Sequence, residues 1–294
     1  MRSDTFALYL REIESKLRRP SATEHTHRTA LKRLVEASAP GVTATNEPKR
    51  EECGAPDFIV ESAAAPLGYI EAKDVGTDLD AALSTEQLSR YLKGLPNLIL
   101  TNYLEFRWFA AGKLRLTATA GVLSREGIIE ASDLAATGEL LASFLDPPIA
   151  TVRSPKELAQ RMAAIAQLIR ATLEDALRSA AKGDPLTQQL EGFSAPQFAD
   201  MYAQTLCYGL FAARCSPNAR LVRFTRENAA LGLLAADPLL RRLFGHLAGP
   251  DLDGRIAWAV DALIELLNRV DLALLLRGFG KRDRREDPAV HFYE

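Results

Sequence analysis

The chain has 294 residues, 47% of them hydrophobic and 25% charged, with a formal net charge of −2 at pH 7. This composition excludes a disordered or fibrous chain and leaves room for two modest domains, each with its own core. Near-neutral charge also excludes a uniformly basic nucleic-acid binder, so any DNA contact needs a local basic patch.

The first segment reads as a helix, because Phe6, Leu10, Ile13 and Leu17 form one apolar stripe closed by Pro20. This N-terminus is amphipathic and charged, unlike a secretory signal. Ser21 and Glu24 then form a capping box for a second helix through Leu31, Leu34 and Val35, which ends at Pro40-Gly41. From about Asp57 to Leu116 the pattern changes. Asp57 to Val60 and Leu67 to Ala72 are predicted strands, and Asp78 to Leu95 is a predicted helix with Leu83, Leu88, Tyr91 and Leu92 on its apolar side. Asn97 to Thr101 is a short apolar strand of the kind buried on both faces. Leu104, Phe106 and Trp108 alternate with Glu105 and Arg107, and Ala111-Gly112 turns the chain back into Lys113 to Thr117.

Asp146-Pro147-Pro148 marks a boundary, since a double proline cannot continue a helix. Beyond it the pattern is helical. Ser154-Pro155-Lys156-Glu157 starts one helix, whose stripe is Leu158, Met162, Ile165, Ile169 and Leu173. Ser194-Ala195-Pro196-Gln197 starts another, with Phe198, Met201, Leu206 and Leu210 as its stripe. Pro238 to Leu247 and Ile256 to Leu275 are further helical runs. The expected organisation is an α/β mixed-sheet domain over 1–145, a linker over 146–155 and an all-α domain over 156–294. The final residues stop inside a hydrophobic segment, which is expected of a fragment of a longer protein. Cys53, Cys207 and Cys215 form no C-x-x-C pair and no zinc spacing, which predicts buried thiols in a cytoplasmic protein. No apolar run approaches the roughly 20 residues that span a bilayer.

The chemistry-bearing pattern is Pro56-Asp57 heading one predicted strand and Glu71-Ala72-Lys73 closing the next. Alternate residues of a strand share a face, so Glu71 and Lys73 project together and Ala72 points to the core. If the two strands pair, Asp57 reaches the same point. Two carboxylates there would hold Mg²⁺, with Mn²⁺ as a substitute, and the Ala72 carbonyl is a third candidate ligand. Lys73 would stabilise charge developing on a phosphate during phosphodiester hydrolysis. The same residues also fit a surface Glu71–Lys73 ion pair beside an unrelated Asp57. Glu24 is a further candidate ligand as well as a cap, and the two roles are compatible. His25 and His27 are expected to be solvated. Gln87 shares a helix face with Tyr91 and could position a DNA backbone or base. Lys49, Arg50, Arg90 and Lys93 are candidate phosphate contacts, or else ordinary solvated charges. No nucleophile elbow, zincin motif or P-loop is present.

Several blocks carry a family resemblance. TEHTHRTALKRLVE, NEPKREECGAPDFIV, GYIEAKDVG, QLSRYL and NLILTNYLEFRWF resemble the N-terminal nuclease of single-chain type IIG and type I single-polypeptide restriction-modification enzymes. FADMYAQTLCYGLFAAR and DPAVHFYE resemble the helical connector preceding their adenine-specific DNA methyltransferase. The resemblance implies a restriction-endonuclease-like core and a Mg²⁺-dependent PD-(D/E)xK endonuclease acting on double-stranded DNA. Asp57, Glu71 and Lys73 match the catalytic triple, Gln87 matches the glutamine of the following helix, and Glu24 matches less closely. It further implies partner methyltransferase and target-recognition domains outside this chain, and dimerisation on DNA. A catalytically inactive nuclease-like scaffold, or hydrolysis of RNA, remains open on the residues alone.

Overall fold

The computed structural model describes residues 3–18, 24–46, 54–63, 65–147, 151–181, 183–188, 190, 192–215, 223–226, 228–229 and 252–276. The chain divides into two compact units, Met1–Pro48 with Pro56–Pro148, and Lys49–Ala55 with Ile149–Glu294.

The first unit is a mixed α/β structure. Helices α1 (Ser3–Leu17) and α2 (Glu24–Ser38) precede a six-stranded sheet. Its strands β1 (Val42–Thr45), β2 (Phe58–Ser62), β3 (Ala65–Ala72), β4 (Asn97–Thr101), β5 (Glu105–Ala110) and β6 (Lys113–Thr119) are neighbours in sequence order. Every adjacent pair is antiparallel except β3–β4. Parallel neighbours need a crossover rather than a tight turn, and this one carries α3 (Leu79–Leu83) and α4 (Glu86–Gly94).

The single helix predicted over Asp78 to Leu95 is therefore two. Thr85 takes extended backbone angles, and its hydroxyl accepts the Leu88 N–H at 3.3 Å, so it caps a new helix instead of continuing the old one. Asp78 caps α3 in the same way, accepting the Asp80 N–H at 2.9 Å. The β5–β6 hairpin turns at Ala111-Gly112, where both residues have positive φ (50° and 73°), as a two-residue hairpin of this kind requires. A Cβ on Gly112 would lie 2.5 Å from the Leu92 carbonyl oxygen, so the position admits only glycine without a backbone shift.

Four elements were not expected from the pattern. Strand β1 buries only Ala44 fully, and the paired strands β7 (Gly121–Leu123) and β8 (Ile129–Ala131) are too short to show a period. Helix α5 (Leu134–Leu145) mixes small and apolar residues around much of its circumference. One face of the sheet, through Val60, Ile70, Ala72, Ile99, Phe106 and Trp108, packs in a single core with α1, α2 and α5. The predicted stripes Phe6–Leu10–Ile13 and Leu31–Leu34–Val35 are part of that core. Strand β4 is buried at all five positions, as its continuous apolar run implied.

Asn97, at the start of β4, joins three elements through one buried amide. Its Nδ2 donates to the Leu67 carbonyl at 2.8 Å and the Phe144 carbonyl at 2.9 Å, while its Oδ1 accepts the Trp108 indole N–H at 2.6 Å.

In the second unit the described elements are α6 (Pro155–Arg178), α7 (Pro185–Gln188), α8 (Ala195–Cys215), α9 (Gly254–Asn268) and α10 (Leu272–Leu276). Helix α6 packs against both α8 and α9. Ser154 caps α6 with Pro155 in its first turn, and Leu158, Met162, Ile165, Ile169 and Leu173 are all buried. In α8, Met201 is exposed, contrary to the expected stripe. The buried line instead steps by one turn through Phe198, Tyr202, Leu206 and Leu210. The run Ile256 to Leu275 is interrupted at Val270, which forms a parallel bridge with Val152 and separates α9 from α10. Burial pushes the Cys207 thiol up to about 12, and Cys215 is half-buried, while Cys53 lies outside the described residues, as do Pro238 to Leu247 and the C-terminal run from Asp287. No helix among the described residues is long and apolar enough to cross a membrane.

Replacing Asn97 by Leu strands the buried Phe144 carbonyl, the half-buried Leu67 carbonyl and the Trp108 indole N–H. Each unsatisfied group costs about 1–3 kcal/mol, so Asn97→Leu should destabilise the first unit by about 3 kcal/mol or more. Urea unfolding in a Trp258→Phe background, where Trp108 is the remaining fluorophore, measures this loss.

Candidate active site

The site forms where β3 ends and the crossover begins. Strand β2 pairs with β3 so that Phe58 faces Ile70, and extending that register by one residue sets Asp57 opposite Glu71. The parity of β3 sends Ala72 into the core and Glu71 to the other face. Asp57 is anchored between the other two residues of the triple: its Oδ2 accepts the backbone N–H of Ala72 at 2.7 Å. The Lys73 N–H in turn donates to the Thr101 carbonyl at 2.7 Å, which ties this strand end to β4. Lys73 Nζ donates to Glu71 Oε1 at 2.6 Å. Asp57, Glu71 and Lys73 thus meet at one place.

Burial distinguishes the site from a surface ion pair. Asp57 and Glu71 are 6% and 3% exposed, whereas the Lys73 side chain retains 25%. Buried carboxylates require compensating partners, and Asp57 has one that the sequence reading missed. Arg28 of α2 donates from Nη2 to Asp57 Oδ1 at 2.6 Å, and both side chains are only 8% exposed. The one sequence signal is that Arg28 lies one turn after Glu24 and therefore shares its helix face. Nothing local connects it to an aspartate 29 positions away.

Gln87 and Tyr91 share a face of α4 as expected, with Gln87 Nε2 donating to Tyr91 Oη at 2.9 Å. Burial, reinforced by the charges of Glu71 and Asp57, pushes the Tyr91 phenol well above its ordinary value, against a lowering hydrogen bond from Gln87. Tyr91 is thereby within the electrostatic reach of both carboxylates, and α4 belongs to the site's surroundings. Arg90 pairs loosely with Glu86 at 3.7 Å, and Lys93 is exposed. Glu24 lies in the first turn of α2, but its side chain and those of His25, Ser21, Lys49 and Arg50 fall outside the described residues.

His27 is not solvated as expected. It is buried, with its ring 5.3 Å from that of Tyr103. Tyr103 itself sits at φ 71° and accepts the Tyr9 hydroxyl on its carbonyl at 2.7 Å, so the loop after β4 is held against α1 and α2. The alternation of α2 places His27 inward because its neighbours Leu31 and Leu34 are one and two turns farther along the same face.

Among the described residues no three His, Cys, Asp or Glu side chains form a metal-binding group. The donors that do converge, Asp57 and Glu71, are oxygen-only. They fit Mg²⁺ or Mn²⁺, which is often held by one or two carboxylates with water at the remaining positions. The backbone group of Ala72 engaged with Asp57 is its N–H.

No protein-family model matches the chain, and no curated protein matches it. Among solved structures, the cryo-EM structure of a DrdV–DNA complex aligns with a TM-score of 0.39 and 17% identity, over 87% of this chain and 26% of that chain. The chain therefore spans about a quarter of the length of that protein.

Burial holds the His27 imidazole below its ordinary value of 6.5, with Lys16 adding to the shift and Asp74 opposing it. The folded state then binds this proton less readily than the unfolded chain. Stability from His27 is complete above about pH 6.5 and falls as pH drops below that value. His27→Phe, which keeps the ring against Tyr103, should flatten this part of the decline. Comparing urea midpoints of wild type and variant between pH 7.5 and 5 reads the difference.

Proposed function

We propose that this chain is the nuclease portion of a restriction-modification enzyme: a Mg²⁺-dependent endonuclease of the PD-(D/E)xK type that hydrolyses phosphodiester bonds in DNA. The observation that supports this most directly is the seating of Asp57 on the peptide between Glu71 and Lys73, with Lys73 on Glu71. The sequence resemblance supplies the substrate. It also supplies the proposed partners, namely a methyltransferase domain and a target-recognition domain beyond this chain, and a second copy when both DNA strands are cut. A cytoplasmic location accords with this role.

Asp57 and Glu71 would hold the cation, with the Ala72 carbonyl and Glu24 as further candidate ligands. When bound, it supplies Lewis-acid polarisation of the phosphate and a more acidic water. In the hydrolysis a water oxygen bonds to phosphorus and the P–O bond to the leaving sugar oxygen breaks. The water's proton passes to solvent or a nearby base, and the leaving oxygen is protonated. Lys73 would donate to a non-bridging phosphate oxygen, where negative charge increases in the transition state. Gln87, held by Tyr91, would orient the DNA beside the scissile bond. Arg90 and Lys93, together with Lys49 and Arg50, would contact flanking phosphates, each contact steepening the salt dependence of binding.

One observation favours a second reading, a nuclease-like scaffold without catalysis. The Arg28 guanidinium compensates the charge of Asp57 directly, a role a cation would otherwise fill. Metal binding separates the two. Mg²⁺ or Mn²⁺ at about 100 times its Kd should stabilise the wild type by about 2.7 kcal/mol, and Asp57→Ala should lose that protection. A wild type indifferent to both ions favours the scaffold.

Glu71→Ala and Lys73→Ala should each lower DNA cleavage on the order of 10²–10³-fold or more, with far-UV circular dichroism unchanged. Cleavage of plasmid DNA at the wild-type rate by either purified variant would refute the nuclease reading.

A further inference from the structure

We propose that Arg28 is a positioning residue that sets the affinity of the site for a divalent cation: its guanidinium occupies one oxygen of Asp57 and must yield it when the cation binds. The inference rests on the nuclease reading above and adds to it a residue and a linkage.

The two oxygens of Asp57 are held by different kinds of donor. Oδ2 is bound to the Ala72 N–H, a backbone group at the end of β3 that cannot leave without breaking the strand. Oδ1 is bound to Arg28 Nη2, at the end of a long side chain with several rotatable bonds. A cation approaching Asp57 therefore competes with the guanidinium and leaves the backbone contact in place.

Charge gives the direction of the effect. Arg28 lies 2.6 Å from Asp57 and Lys73 2.6 Å from Glu71, so each carboxylate already has a cation against it. A dication bound to Asp57 would sit against the buried Arg28 guanidinium, and the two positive charges repel each other. Either the guanidinium swings out or an anion enters. A DNA phosphate satisfies the second condition, and a displaced Arg28 would be a guanidinium suited to it. Metal binding in the absence of DNA is therefore held weak by Arg28, and removing Arg28 strengthens it.

A purely structural role predicts the opposite. Breaking a buried pair leaves Asp57 uncompensated and lowers stability, and a disordered carboxylate binds metal no better than before. The two roles separate in a calorimetric titration of the whole chain with Mn²⁺ alone, comparing wild type with Arg28→Gln and Arg28→Lys. Arg28→Gln should bind Mn²⁺ about tenfold tighter, roughly 1.4 kcal/mol, and its melting temperature should rise more on Mn²⁺ addition than that of the wild type. Arg28→Lys, which keeps the charge without the fork, should fall between them. If Arg28→Gln folds only when Mn²⁺ is added, the cation has replaced the guanidinium, as proposed. If it folds under neither condition, Arg28→Lys decides, and unchanged or weaker Mn²⁺ affinity in that variant overturns the inference. Equal affinity in wild type and Arg28→Gln overturns the inference alone. No Mn²⁺ binding by any of the three proteins removes the nuclease reading together with it.

Discussion

Two carboxylates buried side by side are tolerated only where cations and hydrogen-bond donors answer them. That constraint organises the first unit. Asp57 is answered by a backbone N–H of the neighbouring strand and by a guanidinium from α2, and Glu71 by the ammonium two residues along its own strand. Each answer requires a different piece of architecture: the β2–β3 register, the placement of α2 over the strand ends, and the period of β3. The site is thus a consequence of the sheet's pairing as much as of the residues that carry the charge.

The parallel β3–β4 pair is the pivot of that arrangement. It ends β3 inside the sheet, where Ala72 and Lys73 are still tied to the strands beside them, and sends the chain into a crossover. The crossover returns α4, so that Tyr91 lies within the field of Glu71 and Asp57. The β4 strand that receives it is secured at its start by Asn97, whose amide holds β3, β5 and the end of α5 at once. Buried amides satisfied on every side specify position more sharply than apolar contacts do. A strand that slipped by one residue would move Ala72 out of the core and Glu71 into it.

Features that depend on spacing along the chain were legible in the sequence. The stripe of α1, the strand parity that joins Glu71 to Lys73, the apolar run of β4 and the one-turn separation of Gln87 and Tyr91 all follow from periods of 3.6 or 2. What the spacing could not show was where distant segments meet or where a local competitor intervenes. Thr85 is polar and falls within a helical pattern, yet its hydroxyl captures an N–H and divides the helix. His27 is polar and proved to be core, because the loop carrying Tyr103 folds over it. Arg28 looked like any helix arginine until a strand 29 residues later placed an acid against it. Strands as short as β7 and β8 carry no period at all. The candidate triple was readable, but the cation that balances it was not.

The two cations of the site are not interchangeable, and their difference points to where a substrate would arrive. Arg28 is as buried as the aspartate it holds, and its planar fork suits a fixed, desolvated carboxylate. Lys73 keeps a quarter of its side chain in solvent while its partner Glu71 is almost enclosed. Solvent therefore reaches the cluster at Lys73, whereas Arg28 and Asp57 are almost enclosed. On the nuclease reading proposed above, a phosphodiester entering from solvent would meet Lys73 first, because Glu71 is more enclosed. That order suits an ammonium that stabilises charge on the phosphate and carboxylates that hold a cation.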